Sequence, residues 1–489
     1  MNKHRLSRPS ANTAHQARSW DSPPSLVSQA KSIASKINLQ ELEAAGLNRH
    51  RDDYFLNISY PSLQAMPRVS QSDVYDGLVS NDLPRNIALY VHVPFCSQMC
   101  AYCHYYKTFR AKEAAVDHFL DSIACEFSHV RERLGKTRVQ SIYIGGGTPS
   151  YLNERQIRRL FDDLRGKFTI RESAEISFEV HPENASCALF SCLANVGVNR
   201  VSIGVESFED HVLKGENRRH SKEQAINTFR QCSDAGIENI NLDFIYGLRG
   251  QTLAGWAETL REVGSLRPAS FCAYYLRLKK GTAEYNRYLQ NPHEFPSEND
   301  LLLMHVMTFE AMHGFGYTQT TVDWFIREGR FFHDYQDHNW QKTDSVELVG
   351  TGPSAYSYVN GFQYYNVNDL SEYTKRCEAG ELPIWKGERL GSMEERMRRS
   401  IVLGIKSKID RRFFQQTYGV DITDAFPLVL KSLKELGMLT ISDGAVELTY
   451  NGMLFADEVG RKFYSEEVKK RMAAIDANLI STTLPHLNR

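Results

Sequence analysis

The 489-residue sequence holds no run of about 18 apolar residues, the least a membrane-spanning helix needs, so no span is expected. Neither charge sign is in excess: 58 Lys and Arg stand against 59 Asp and Glu. That balance removes any bulk electrostatic case for nucleic acid or an anionic membrane as partner. An even, regularly spaced set of cysteines is also missing. The nine cysteines are odd in number and three are clustered, which argues against a disulfide framework and for a reducing, cytoplasmic setting. The first 20 residues are basic, with no acid before Asp21, but lack the apolar stretch of a secretory signal; a disordered tail is expected there. Internal repeats and low-complexity tracts are absent too.

What is present reads as a globular protein, 42% hydrophobic and 24% charged with a mean hydropathy of -0.43. Its length predicts two or three domains rather than one core. Residues 1–50 form an extension, disordered or partly helical, in which "SLVSQAKSIASKINLQELEAAG" has helical spacing. Over 88–295 apolar β-branched runs alternate with amphipathic helical stretches: "LYVHVPF", "QSIYIGGG", "EISFEV", "RVSIGVES", "NINLDFIYGL", "SFCAYYL". Such alternation predicts parallel strands with crossover helices, a partial or complete α/β barrel whose chemistry sits at the C-terminal strand ends. Residues 51–87 are irregular and are expected to pack on this barrel, and residues 296–392 extend it. Residues 393–489 turn helical, with "GMLTISDGAVELTYNG" as a hairpin, and resemble a winged-helix module.

Cys96, Cys100 and Cys103 crowd "PFCSQMCAYCHYY" at the end of the first apolar run, spaced C-x3-C-x2-C. Thiolates are soft ligands suited to zinc and to iron–sulfur clusters. Structural zinc takes four protein ligands, and only His92 and His104 lie close enough in sequence to add a fourth. A [4Fe–4S] cubane on three cysteines leaves one iron without a protein ligand, a corner that can take a cofactor, as catalytic zinc keeps a place for water. The other cysteines (Cys125, Cys187, Cys192, Cys232, Cys272, Cys377) are scattered and read as ordinary buried thiols.

This loop, followed by the glycine-rich strand end "YIGGGTPSYL", resembles the radical S-adenosylmethionine (SAM) superfamily. The order of "YVHVPFC", "ISFEVHPE", "VSIGVESF", "NRRH", "LDFIYGL" and "GTGPSAYSYVNG" is similar to that of the oxygen-independent coproporphyrinogen III oxidase (HemN-like) family, over roughly residues 55 to 465. The resemblance implies an α/β fold, a partial (βα)6-type radical SAM barrel with a C-terminal winged-helix-like helical domain. It implies a [4Fe–4S] cluster on Cys96, Cys100 and Cys103, and two molecules of SAM. The first SAM would chelate the fourth iron and be split by one electron to a 5′-deoxyadenosyl radical. A monomeric chain and a low-potential flavodoxin- or ferredoxin-like electron donor go with that chemistry.

Site residues are implied by the same resemblance. Tyr90 matches a cluster-proximal SAM-binding tyrosine; alone it would read as a strand aromatic. Gly145, Gly146 and Gly147, with Thr148, let the backbone approach the methionine end of SAM; alone they would read as a tight turn. Glu179 and Asp243 interrupt apolar strands, where a carboxylate must be paired or solvated in a cleft. They and Glu206 match positions that touch SAM, and Arg218 of "NRRH" matches an arginine that can pair with its carboxylate. Gly350, Gly352 and Tyr356 of "GTGPSAYSYVNG", with Tyr275, align with the second SAM or substrate region.

The chain departs from the decarboxylating oxidases at several points. They carry a fourth cysteine two residues past the third, where this chain has His104 and then Tyr105; a glutamine where Glu206 stands; and an arginine where Leu56 stands. The signature of the family's heme-chaperone branch is reduced to "DHNWQ", with His338 as a weak candidate heme ligand. These departures favour the C-methyltransferase branch. The expectation is a two-SAM methyltransferase acting on an sp2 carbon of a conjugated ring, a quinone or tetrapyrrole. Oxidative decarboxylation of coproporphyrinogen III and non-catalytic heme delivery are the alternatives.

Overall fold

The computed structural model describes residues 23–47, 58–78, 85–340 and 345–474. Six strands repeat the apolar runs of the sequence: β1 (Arg85–Val93), β2 (Thr137–Gly146), β3 (Thr169–Val180), β4 (Arg200–Glu206), β5 (Asn239–Tyr246) and β6 (Ser270–Tyr275). They pair in parallel in chain order, each with the next. Antiparallel β7 (Tyr317–Gln319) and β8 (Trp324–Arg327) extend the sheet beyond β6. On the other side β9 (Glu347–Thr351) runs parallel to β1, followed by antiparallel β10 (Tyr356–Val359), β11 (Phe362–Asn366) and β12 (Ile384–Arg389). The result is one 12-stranded open sheet, a partial α/β barrel with a C-terminal helical domain of the expected class.

Each strand alternates two kinds of residue. One face of β3 carries Ile176, Phe178 and Val180, and one face of β4 carries Val201, Ile203 and Val205, all buried beneath the helices. Covering each such side chain contributes about 1.5–3 kcal/mol. The other face is polar and knits strand to strand. Arg200 reaches Ser177, Ser202 bonds Asp243, Asn241 bonds Ser202, and Ser270 bonds Asn241. The crossover helices start on side-chain caps, with full capping boxes at Asn153–Gln156 and Ser221–Gln224.

Three further pieces close around this sheet. Helix α1 (Pro23–Ala34) packs on α2 (Leu253–Leu266) and α3 (Glu298–Gly314), burying Leu26 and Ala30. The segment leading into α4 (Asp334–Trp340) enters the barrel from the strand N-terminal side, where His333 and the amides of Asp334 and Tyr335 bind Glu175, and His338 bonds Ser141 at 2.9 Å. The C-terminal domain holds a three-stranded antiparallel sheet, β13 (Lys408–Asp410), β14 (Leu439–Ile441) and β15 (Ala445–Leu448), with β15 central. Its Asp457 receives Lys406 at 2.6 Å and Arg277, from the turn after β6, at 2.8 Å.

Candidate active site

The cysteine loop leaves the end of β1 and is held by its neighbours. Ala101 donates to the carbonyl of Glu216 and accepts from the amide of Glu284, both at 3.1 Å, and Asn217 donates to the carbonyl of Met99 at 2.5 Å. Cys96 is buried, 3.4 Å from the Thr148 hydroxyl, while Cys100 and Cys103 are half-buried. The end of β2 comes so close that a Cβ on Gly147 would sit 2.7 Å from the Phe95 carbonyl oxygen and 3.0 Å from Cys96 Sγ. Only glycine fits there.

Burial pushes the Cys96 thiol up to about 12 and raises that of Cys100, although Arg218 opposes the second shift. A thiolate at either position therefore needs a metal's positive charge. All three thiols are free of disulfides. Among the described residues no group of three or more His, Cys, Asp or Glu converges on a single-ion site. His92 is committed elsewhere: Nδ1 pairs with the Tyr90 hydroxyl at 3.1 Å and Nε2 with the Tyr106 carbonyl at 3.2 Å. The donor set fits a three-thiolate [4Fe–4S] cluster.

Above the loop three acids and one arginine converge. Glu179 accepts from the Tyr143 hydroxyl at 2.7 Å and from the Gly146 amide at 3.1 Å. Burial nonetheless raises Glu179 to about 7, and Asp243 and Glu206 push the same way. Burial likewise raises Glu206 and Asp243, against the pull of Arg218 on Glu206 and the hydroxyl of Ser202 on Asp243. Glu206 ends β4 with φ 66°, unusual for a non-glycine residue, and its carboxylate is ion-paired to Arg218. Arg218 is buried, also bonds the Gly204 carbonyl at 2.7 Å, and has Nη1 3.9 Å from Cys100 Sγ. A concave site with this excess of carboxylates attracts a cation, such as a sulfonium, and can accept from ribose hydroxyls.

An aromatic wall adjoins this group. Tyr143 lies 5.0 Å from Tyr335 and 6.1 Å from Tyr90, His333 lies 5.3 Å from Trp324, and Trp324 lies 5.9 Å from Tyr274, centroid to centroid. Tyr274 stands at an inward position beside Asp243 and Tyr143, yet is 36% exposed, so the barrel interior is hollow at this level.

Most expected residues gather here: the three cysteines, Tyr90, Gly146, Gly147, Thr148, Glu179, Glu206, Arg218 and Asp243. The glycine amides, however, are engaged within the protein, Gly146 by Glu179 and Gly147 by the Val93 carbonyl. Tyr275 is not brought in. It faces outward, lies 5.8 Å from Tyr246 with the rings tilted by 37° and bonds Glu298, because strand alternation gives the inward place to Tyr274. Gly350 and Gly352 serve close packing: a Cβ would lie 2.3 Å from the Tyr356 carbonyl oxygen and 2.4 Å from that of His92. Tyr356 accepts from the buried Arg399 at 3.1 Å. Leu56 lies outside the described residues. Glu175, Arg200, His333 and Tyr335 adjoin the site on the strand N-terminal side, although no motif in the sequence marks them. The period-two polar pattern Glu175-x-Ser177-x-Glu179 is the available signal for the first; nothing local announces that residue 335 returns to strand β2.

The chain matches the radical SAM superfamily model over residues 90–263 and the HemN C-terminal domain model over 392–455. It is 29% identical to the heme chaperone HemW of Bacillus subtilis over 77% of this chain and 99% of that protein. It is 28% identical to the oxygen-independent coproporphyrinogen III oxidase of Salmonella typhimurium over 81% and 89%. The solved structure of Escherichia coli coproporphyrinogen III oxidase (HemN) covers 84% of this chain and 97% of its own length with a TM-score of 0.74 and 26% identity. Fold and cysteine loop together define a radical SAM protein, whose cofactors are a [4Fe–4S] cluster and SAM. More particularly, the chain is HemN-like, a radical SAM domain followed by a HemN C-terminal domain. Among the described residues no helix is long and apolar enough to cross a membrane.

Proposed function

We propose that the chain is a radical SAM enzyme acting on a flat, tetrapyrrole-type ring, and that it removes carboxylate side chains from that ring by oxidative decarboxylation. The hollow, aromatic-walled interior beside the cysteine loop carries the reading, since Tyr90, Tyr143, Tyr335, Trp324 and Tyr274 offer ring faces to a planar ligand. Relatives named as coproporphyrinogen III oxidases support the reaction. When bound, the cluster and SAM supply one-electron chemistry that opens an unactivated C–H bond. The protein's share is placement. Glu179, Glu206 and Asp243 would hold SAM by its cationic and hydroxyl groups, and Arg218, paired with Glu206, would also meet its carboxylate. Tyr143 fixes Glu179, and the aromatic wall shields the site from water. A second SAM, where the resemblance implies one, would have to meet Tyr356, because Gly350 and Gly352 are already packed against protein backbone.

Methyl transfer is retained as a second reading for one reason: His104 and Tyr105 stand where the oxidases carry their fourth cysteine. The relatives bear oxidase or chaperone names, which weighs against it. Anaerobic reconstitution with dithionite, SAM and a carboxylate-bearing porphyrinogen separates these readings. Carbon dioxide release with loss of carboxyl groups is the expected result. S-adenosylhomocysteine with a methyl mass gain would establish the second reading, and stoichiometric heme binding without SAM turnover would overturn both.

A further inference from the structure

Cys96 and Cys100 each meet a hydrogen-bond partner at sulfur, and the two partners differ in charge. Cys96 Sγ lies 3.4 Å from the neutral Thr148 hydroxyl, whereas Cys100 Sγ lies 3.9 Å from Nη1 of Arg218. The guanidinium is held there from several sides. Its Nη2 bonds the Gly204 carbonyl at 2.7 Å, and its backbone amide bonds the Leu213 carbonyl at 2.8 Å. The neighbouring Asn217 ties the same turn to the Met99 carbonyl of the cysteine loop at 2.5 Å. Gly204 leaves just enough room, since a Cβ there would lie 3.1 Å from Glu206 Oε1 and 3.2 Å from Arg218 Nη2.

Glu206 is the counter-charge. β4 shifts register against β5 between Gly204 and Glu206, and such a bulge re-aims the side chain beside it. The Glu206 carboxylate turns to Arg218, and the side chains of Arg218 and Glu206 are 5% and 14% exposed. With so little water about the pair, neither charge is strongly screened at the Cys100 sulfur. Lys107, the other cation on this loop, donates to the carbonyls of Cys103 and Tyr105. Thr148 brings a dipole to Cys96; at Cys100 the partner brings a full charge.

Hydrogen bonds to the ligand sulfurs and nearby charge are among the properties that set the reduction potential of an iron–sulfur cluster. A cation beside Cys100 favours the reduced, more negative form, and a carboxylate behind that cation offsets it. We infer that Arg218 and Glu206 are opposed tuning residues for the [4Fe–4S] cluster, Arg218 raising its potential through Cys100 and Glu206 lowering it. The glutamate keeps the cluster more strongly reducing than a neutral side chain of the same shape would. The inference rests on the cluster alone and holds whatever ring is the substrate.

The test is a redox titration of the anaerobically reconstituted full-length protein without SAM. Dithionite supplies the single electron, and electron paramagnetic resonance reads the reduced cluster. Arg218→Gln should move the midpoint to lower potential by about 59 mV, a tenfold change in the one-electron equilibrium. Glu206→Gln should move it upward by a similar amount. Arg218→Lys, which keeps the charge, should stay near the wild type, and the double variant Arg218→Gln with Glu206→Gln should return toward it. Iron content and circular dichroism identify any variant that has lost its cluster or fold; Glu206→Gln, an isosteric change, carries the test if Arg218→Gln is among them. A wild-type midpoint in Glu206→Gln, or shifts of the same sign in both single variants, would overturn the inference. A wild-type protein with no reducible cluster would remove the cluster assignment itself, and the tuning with it.

Discussion

Glu175 and Glu179 share the inner face of β3, yet their surroundings push them in opposite directions. Burial alone would raise both. At Glu175 this is outweighed by His333, Arg200 and the backbone amide of Asp334, which hold the carboxyl down to about 2. His333 is the near partner of Glu175, at 2.8 Å, while Arg200 acts on it without a direct hydrogen bond; burial and Arg200 lower His333 in turn. At Glu179 a tyrosine and one amide are too little, and nearby acids leave it raised to about 7. The saturated carboxylate builds the barrel; the under-compensated one awaits a ligand. Desolvated carboxylates with few counter-charges are a mark of binding sites.

The largest expected effect comes from erasing the saturated member. Glu175→Gln removes the charge that His333, two backbone amides and the buried Arg200 face, and should cost about 3–5 kcal/mol of stability in denaturant unfolding. SAM affinity of the folded fraction should hold. Glu179→Gln should do the reverse. SAM binding, read by equilibrium dialysis, should weaken by about 1.5–3 kcal/mol, with the unfolding midpoint unchanged or higher. An equal loss of stability in both variants would erase the distinction between the two carboxylates.

Their pH dependences should also oppose each other. Glu175, depressed in the fold, stabilises above the unfolded carboxylate value of about 4.3, and that stability is lost as pH falls toward about 2. Glu179, raised in the fold, makes stability decline as pH climbs from about 4.3 to about 7. Unfolding free energies across pH 4 to 7, a window of about three units, should therefore flatten in Glu179→Gln alone. The smallest effect belongs to Tyr90→Phe, which removes only the hydroxyl bond to His92. It should cost about 0.5–1.5 kcal/mol and leave iron content unchanged.

Much of this architecture was legible in the residues. The apolar runs located all six parallel strands, and the cysteine spacing located the cluster loop. Strand phase was harder. Glu179 and Asp243 stand out against their apolar runs, but Arg200, Ser202 and Asn241 of the same inward stripe do not. Tyr275, given by the resemblance and not by phase, faces outward where Tyr274 faces in. The partners of Glu175 come from residues 333–335, far along the chain, and no local pattern announces such a return. The expected methyltransferase rested on departures at single positions, against which the whole-chain likeness to oxidases and chaperones weighs more.

The segment from His333 to Trp340 fills one end of the barrel from within. On the proposed reading neither SAM nor the ring would enter at that end, so both would approach past the cysteine loop at the C-terminal strand ends. Steady-state kinetics should then show a compulsory order of addition.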